Sequence, residues 1–196
     1  MITYLRGKLI DKDPTYVVID IQGIGYHVKI SLNTFSAIKE MNDVLLHTHL
    51  HIREDAHTLF GFSEMAEKKR FLDLISISGV GATTAMMVLS SLSPAELQHA
   101  IVNEQINVIK GVKGIGQKTA QRIVLELKDK MIKEGWEEKS LESPEIGNTL
   151  QNEALSALIT LGISRGAAQK SIDAILKEFG QEIKLEELIK QALRRA

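Results

Sequence analysis

Ser78-Gly79-Val80-Gly81-Ala82-Thr83-Thr84-Ala85 and Lys113-Gly114-Ile115-Gly116-Gln117-Lys118-Thr119-Ala120 are two copies of one pattern, thirty-five positions apart. Each reads Gly, aliphatic, Gly, two variable residues, Thr, Ala, so the middle of the chain is a tandem repeat. An apolar-periodic segment precedes each copy, with Phe71, Leu72 and Ile75 before the first and Ile106 and Ile109 before the second. After the second copy, Ala120, Ile123, Val124, Leu127 and Met131 recur at helical spacing. The reading is helix, glycine hairpin, helix, twice over.

The hairpin implies a ligand. Paired glycines permit positive φ and leave no β-carbon, so the backbone can approach a partner closely. A helix starts directly after them, with its first amides unpaired and the positive end of its dipole facing out, which suits phosphate. In the second copy Lys118 adds a full charge, Thr119 a hydroxyl and, one turn on, Arg122 a guanidinium, with Lys113 on the near side. None of these groups reads a base edge, so binding to nucleic acid is expected to be largely independent of sequence.

Other glycine motifs fit less well. A phosphate-binding loop of nucleotide hydrolases needs Gly, four residues, then Gly-Lys-Ser/Thr; in the segment from Gly111 to Thr119, Gln117 stands where the lysine must be. A dinucleotide fingerprint lacks its third glycine. An ordinary helix-helix turn suffices for a single Gly-x-Gly, but duplication with Thr-Ala in register argues against it. A helix-hairpin-helix glycosylase has Lys128 and Asp129 available as catalytic groups, in surroundings otherwise unlike such an enzyme. The stronger rival is a generic duplex- or single-strand-binding accessory protein. A single-strand reader needs exposed aromatics for stacking, and Tyr4, Tyr16, Tyr26, Phe60 and Phe62 are the candidates in a chain with only 5% aromatic residues.

Composition bounds the rest. With 196 residues, 44% of them apolar, the chain can bury cores for one to three small domains. It has no cysteine, hence neither disulfides nor thiolate metal sites. Neither a membrane span nor a signal peptide is apparent, and a cytoplasmic protein is expected. The net charge is −1, yet Lys110, Lys113, Lys118, Arg122, Lys128, Lys130 and Lys133 form a basic stripe opposed only by Glu126 and Asp129. His47, His49 and His51 alternate on one predicted strand face; no carboxylate or cysteine completes a recognisable site, so no metal and no cofactor are expected. The six methionines, Met86 and Met87 among them, read as core filling.

Residues 1–63 read as β structure, with runs at 2–10, 16–21, 26–30, 44–52 and 58–62 and a short helix near 35–41. Asp13-Pro14 and Gly23-Ile24-Gly25 are turn signals. Five strands with one helix between the third and fourth fit a small OB-fold barrel. Residues 64–134 hold the tandem hairpins. Residues 135–152, with Glu137, Glu138, Ser140, Ser143, Pro144 and Gly147, read as a flexible linker. Residues 153–196 read as three amphipathic helices, at 153–161, 164–179 and 184–194, with Gly162 and Gly180 as stops. The fold class is α+β multidomain: OB-fold barrel, all-α tandem helix-hairpin-helix domain, and a C-terminal three-helix UBA-like bundle.

This combination closely resembles the RuvA family of Holliday-junction-binding subunits, and the resemblance covers the whole chain. Its most specific elements are Val112-Lys113-Gly114-Ile115-Gly116-Gln117-Lys118-Thr119-Ala120, then Glu126-Leu127-Lys128-Asp129, and Arg53-Glu54-Asp55-Ala56-His57-Thr58-Leu59-Phe60-Gly61-Phe62.

The resemblance implies a homotetramer, or an octamer, that holds four-way junction DNA open and square-planar and recruits the RuvB ATPase for branch migration in recombination and repair under the SOS response, with the RuvC resolvase as a further partner. It implies that Glu54 and Asp55 form an acidic pin at the junction centre, where carboxylates repel phosphates by about 1 kcal/mol per close pair at the dielectric of water, and less at physiological salt. It implies that the two hairpins of a subunit hold the two backbones of one arm, through amides near Gly79, Gly81, Gly114 and Gly116. Thr83 stands in the first hairpin where the second has Lys118, so phosphate contact there rests on amides and the hydroxyls of Thr83 and Thr84. The C-terminal helices are implied to bind the motor through an apolar patch that includes Leu155, Leu158, Leu161 and Ile172. With no intact phosphate-binding loop, the chain itself is a non-catalytic subunit.

Overall fold

Apolar residues at every second position of the first sixty close on themselves. In the computed structural model, which describes residues 1–141, 148–180 and 183–195, strands β1 (Tyr4–Asp13), β2 (Tyr16–Ile21), β3 (Ile24–Ile30), β4 (Asp43–Ile52) and β5 (His57–Phe62) form a closed barrel in the order β1-β2-β3-β5-β4. Neighbours are antiparallel except β3 and β5. Closure leaves no free sheet edge. Leu5, Leu9, Val17, Ile19, Val28, Ile30, Val44 and Leu46 point inward as the core. This is the expected OB barrel with shifted boundaries: β1 runs on to Asp13 instead of ending at residue 10, and the helix between β3 and β4 spans 32–38 instead of 35–41. The β2–β3 turn is Gln22-Gly23, both at positive φ (53° and 86°), so β3 begins at Ile24 and Gly25 pairs with Asp20 inside the strand.

Helix α1 (Leu32–Ile38) joins β3 to β4, starting under a Ser31 cap whose hydroxyl accepts from the Thr34 amide. Phe60 and Phe62 face outward from β5 and lie with ring centres 5.0 Å from Phe71 of α2 (Met65–Ile75), so the barrel wall and the helices share one core. Phe62, Phe71 and Leu74 are fully buried, each worth roughly 1.5–3 kcal/mol in area removed from water. Of the three apolar positions expected on this helix, Phe71 is buried and Ile75 packs against the core, whereas Leu72 is 38% exposed and Leu74, two positions on, takes the core place.

The helical region continues with α3 (Ala82–Ser91), α4 (Pro94–Val102), α5 (Ile106–Lys110) and α6 (Gln117–Leu141). Helix α4 lies outside the sequence expectation, although its signal is local: Ser93-Pro94-Ala95-Glu96 forms a reciprocal capping box with proline in the first turn. A buried charge cluster ties the helices. Asp73 of α2 accepts from Arg70 Nη1 at 3.0 Å and pairs with Lys130 of α6, while Arg70 Nη2 reaches Gln98 of α4.

The chain divides into two units, Met1–Glu134 and Gly135–Ala196. The expected linker at 135–152 is shorter in the structure, because α6 runs on to Leu141 and α7 (Asn148–Thr160) starts before residue 153; residues 142–147 lie outside the described residues. Only one glycine and no proline interrupt residues 132–141, which permits the continuation. In the second unit α7 packs with α8 (Arg165–Phe179) and α9 (Leu185–Arg195) around Ala154, Leu155, Leu158, Ala168, Ile172, Ile175, Leu188 and Ala192. Gly162 (φ 92°) and Gly180 (φ 75°) follow the ends of α7 and α8 as the sequence predicts. Among the described residues no helix is long and apolar enough to cross a membrane.

Candidate nucleic-acid interface

The two hairpins are built alike, bond for bond. In the first, the Val80 amide donates to the Ile77 carbonyl (3.0 Å), Gly79 sits at φ 90°, and the Ala85 amide closes the first helical turn on Gly81 (2.9 Å). In the second, Ile115 donates to Val112 (3.1 Å), Gly114 sits at φ 87°, and Ala120 closes on Gly116 (2.9 Å). Ile77, Val80, Val112 and Ile115 are buried and pin each turn to the core, and Ala85 and Ala120 are fully buried where the new helix enters it. The recurring aliphatic and alanine positions of the repeat are therefore fold positions.

Gly81 and Gly116 are not. Gly81 has φ −84°, Gly116 is likewise not at positive φ, and a β-carbon at either would meet nothing within 4 Å. The chain's own packing leaves both open. No side chain caps the start of α3 either, which leaves the amides of its first turn without a side-chain partner. An exposed helix start with the approach kept clear of side chains is a receptor for an anion.

The charges around the hairpins divide unevenly. Lys113 and Lys118 flank the second turn, exposed, and among the described residues they engage no carboxylate. Thr119 is half-buried at the helix start. Arg122 is exposed but held by Glu126 at 2.5 Å, an i,i+4 surface pair worth about 0.3–0.5 kcal/mol and readily exchanged for phosphate. Two members of the expected basic stripe have other duties: Lys128 pairs with Glu104, whose carboxyl it holds below the ordinary value by hydrogen bond and charge, and Lys130 pairs with buried Asp73. Composition sees seven positive charges there; the fold leaves Lys110, Lys113, Lys118 and Lys133 uncommitted among the described residues. At the first hairpin Thr83 is exposed and Thr84 half-buried, with no base at the turn.

Glu54 and Asp55 form the tip of the β4–β5 turn, closed by the Arg53 amide donating to the Ala56 carbonyl at 2.9 Å. Both are exposed and, among the described residues, in no ion pair; the nearby Arg53 Nε donates instead to His51 Nε2 at 3.2 Å. His47, His49 and His51 do share the outer face of β4, but that face is partly covered: His49 packs against Phe71 at 5.6 Å. Burial, with His51 and Lys68 nearby, lowers the His49 pKa below its ordinary value. No group of three or more His, Asp or Glu among the described residues is placed to hold a metal ion.

The rival single-strand reading loses two of its candidates, and one expectation is corrected. Phe60 and Phe62 are buried against Phe71 and offer no stacking platform. Leu155, Leu158 and Ile172 are buried in the core of the C-terminal unit, because helix periodicity puts them on the inward stripe. Leu161, 60% exposed just beyond the end of α7, does face solvent, as do Ile159, Phe179 and Leu193, which the sequence reading did not name. Met87 of α3 packs against the core as expected and, half-buried, also lies beside Gly114 of the second hairpin.

Residues 1–61 match the family described as RuvA N terminal domain, residues 71–129 the SAM-like helix-hairpin-helix tandem, and residues 149–196 the RuvA C-terminal domain. The chain is 54% identical to the Holliday junction branch migration complex subunit RuvA of Cytophaga hutchinsonii, over 99% of both chains. It is 50% identical to that of Christiangramia forsetii over 100% of both, and 45% to that of Bacteroides fragilis over 100% of both. A closed barrel with an acidic turn, a doubled glycine hairpin and a C-terminal helical unit, matched along its whole length by these relatives, makes this chain a member of the RuvA family.

Proposed function

We propose that this protein binds four-way DNA junctions by their backbones, without reading sequence, and serves as the DNA-binding subunit of a branch-migration complex. The observation that carries this reading is the pair Gly81 and Gly116, bare of side chain where the fold makes no use of the bareness, each opening onto the start of a helix. Two such receptors in one compact unit suit the two strands of one duplex arm. Phosphate would contact the first-turn amides at both, with Lys113 and Lys118 adding charge at the second.

Four copies would grip four arms and bring four Glu54-Asp55 turns to the centre. Their carboxylates lower affinity for duplex passing straight through, whereas a junction leads its strands around them; selectivity thus arises from repulsion placed against the wrong shape. The chain is a non-catalytic subunit that works in the cytoplasm, where the DNA is. ATP hydrolysis belongs to a RuvB-type motor, which docks on the exposed apolar residues of the C-terminal unit, Ile159, Leu161, Phe179 and Leu193.

The test is a gel-shift titration against a synthetic four-way junction and a linear duplex of equal length across a salt series. Preference for the junction that persists as salt rises is the expected result. Equal affinities that decline together would reduce the protein to a generic backbone binder.

A further inference from the structure

The barrel grips the helices on both sides of the first hairpin, and the grip runs through α1. On the α3 side, Asn33 Nδ2 donates to the carbonyls of Leu89 (2.6 Å) and Leu92 (3.1 Å), and the Leu32 amide donates to Ser90 Oγ (3.2 Å). These are groups at the C-terminal end of α3, where carbonyls lack helical partners. On the α2 side, Glu67 is buried and accepts from the hydroxyls of Ser31 and Thr34. Each hydroxyl is itself an acceptor, Ser31 from the Thr34 amide and Thr34 from the Ser63 amide, both at 3.0 Å. With Glu67 ionised, every proton runs from amide to hydroxyl to carboxylate, and the network has one arrangement. Lys68 Nζ adds a bond to the Thr3 carbonyl at 3.3 Å.

We infer that Asn33 and Thr34 are positioning residues for shape selectivity: through them α1 holds the first hairpin in register with the acidic turn of the barrel. This rests on the junction-binding reading above. The first hairpin has no lysine at its turn and adds little charge; what it contributes is place. The second hairpin carries Lys113 and Lys118, and it meets the first where Gly114 abuts Met87. Affinity therefore resides mainly in the second hairpin and discrimination in the tie between the barrel and the first. Loosening α1 lets an arm bind as before while the carboxylates of Glu54 and Asp55 drift from where they exclude continuous duplex.

The experiment compares the full chain with Asn33→Ala, Thr34→Val and Thr34→Ser. Valine matches threonine in shape but leaves the Ser63 amide and one Glu67 oxygen unpaired, whereas serine keeps the relay. For each, affinities for a four-way junction and an equal-length duplex are measured at one salt concentration, beside a thermal melt. Asn33→Ala and Thr34→Val should each lower the junction-to-duplex ratio about five-fold through a rise in duplex affinity, with junction affinity within about two-fold of wild type, and Thr34→Ser should restore the ratio. An unchanged ratio in Asn33→Ala and Thr34→Val, or junction and duplex affinity falling in parallel, would overturn the inference. If Thr34→Val melts below the assay temperature, Asn33→Ala decides alone, since its side chain is only half-buried. A wild type without junction preference overturns the functional reading and this inference together; a preference that the variants retain removes the inference only.

Discussion

The terminal methyl of Met87 lies 3.0 Å from where a β-carbon on Gly114 would sit, so the helix leaving the first hairpin abuts the turn of the second. Gly114 is also at φ 87°, a conformation that costs an L-residue about 1–2 kcal/mol. Two separate reasons for glycine thus coincide at one position.

Gly114→Ala should lower the melting temperature by roughly 2–8 °C, the range for 1–2 kcal/mol in a chain of this size. Adding Met87→Ala separates the reasons. If the backbone conformation dominates, the double variant melts no higher than Gly114→Ala; recovery would mean that the steric contact dominates. The flexible end of a methionine yields easily, so the first outcome is expected.

Gly81 behaves otherwise, since its fold tolerates a side chain. Serine there should cap α3 through its hydroxyl and leave the melting temperature unchanged or slightly raised. The same hydroxyl would occupy a first-turn amide and crowd an incoming phosphate. Gly81→Ser is therefore expected to bind duplex and junction several-fold more weakly while remaining as stable, as read by a melt and a gel shift on the same preparation. A variant that binds as well as wild type would mean that the helix start is not a phosphate site.

What the sequence made legible, and what it hid, follows from how far each signal reaches along the chain. The hairpins were readable because a turn is a local event: Gly79, Gly114 and the buried aliphatic between each glycine pair lie within a few residues. The barrel was readable because alternation has one period and β-branched residues mark it. The α1 network was hidden, since Ser31, Thr34 and Glu67 are ordinary polar residues until the fold carries them across more than thirty positions into contact. Charge misled in the same way. Lys130 looks like part of a basic face, and only the burial of Asp73, fifty-seven positions away, shows what it serves. In the C-terminal unit the period marked the inward stripe correctly, and the error lay in assigning those leucines to a partner before the bundle had used them.

Lys118→Ala and Thr83→Lys should move salt dependence in opposite directions. Removing one phosphate-contacting lysine flattens the slope of log K against log salt by about one, and adding one at the matching position of the first hairpin steepens it by a similar amount. Both effects should appear equally on junction and duplex, because neither residue reads shape. A Lys118→Ala slope equal to wild type would remove this lysine from the interface.

Glu54→Ala with Asp55→Ala removes two exposed carboxylates that are in no ion pair among the described residues, so the melting temperature should stay where it is. Duplex affinity should rise, because the repulsion was directed at duplex, and the junction-to-duplex ratio should narrow. A rise confined to the junction would contradict the proposed role of the turn.

His49 and Glu67 give stability opposite dependences on pH. Burial first, then the charges of His51 and Lys68, hold the His49 imidazole below its ordinary 6.5, so the unfolded chain takes up this proton before the folded one. The stability tied to neutral His49 is present above 6.5 and is lost as pH falls through the depressed value. Glu67 is pushed up from 4.5 by burial, against the hydrogen bonds from Ser31 and Thr34 that favour its ionised form. Its contribution is full below 4.5 and is lost as pH rises through the raised value. On descending from about pH 8 to about pH 4, wild type should lose stability through His49 from about 6.5 downwards and regain some through Glu67 as pH falls towards 4.5. His49→Gln should flatten the descent and Glu67→Gln should steepen it, both read from urea denaturation at fixed salt. If His49→Gln follows the wild-type curve, the imidazole against Phe71 carries its proton folded as readily as unfolded, and the contact with α2 does not sense pH.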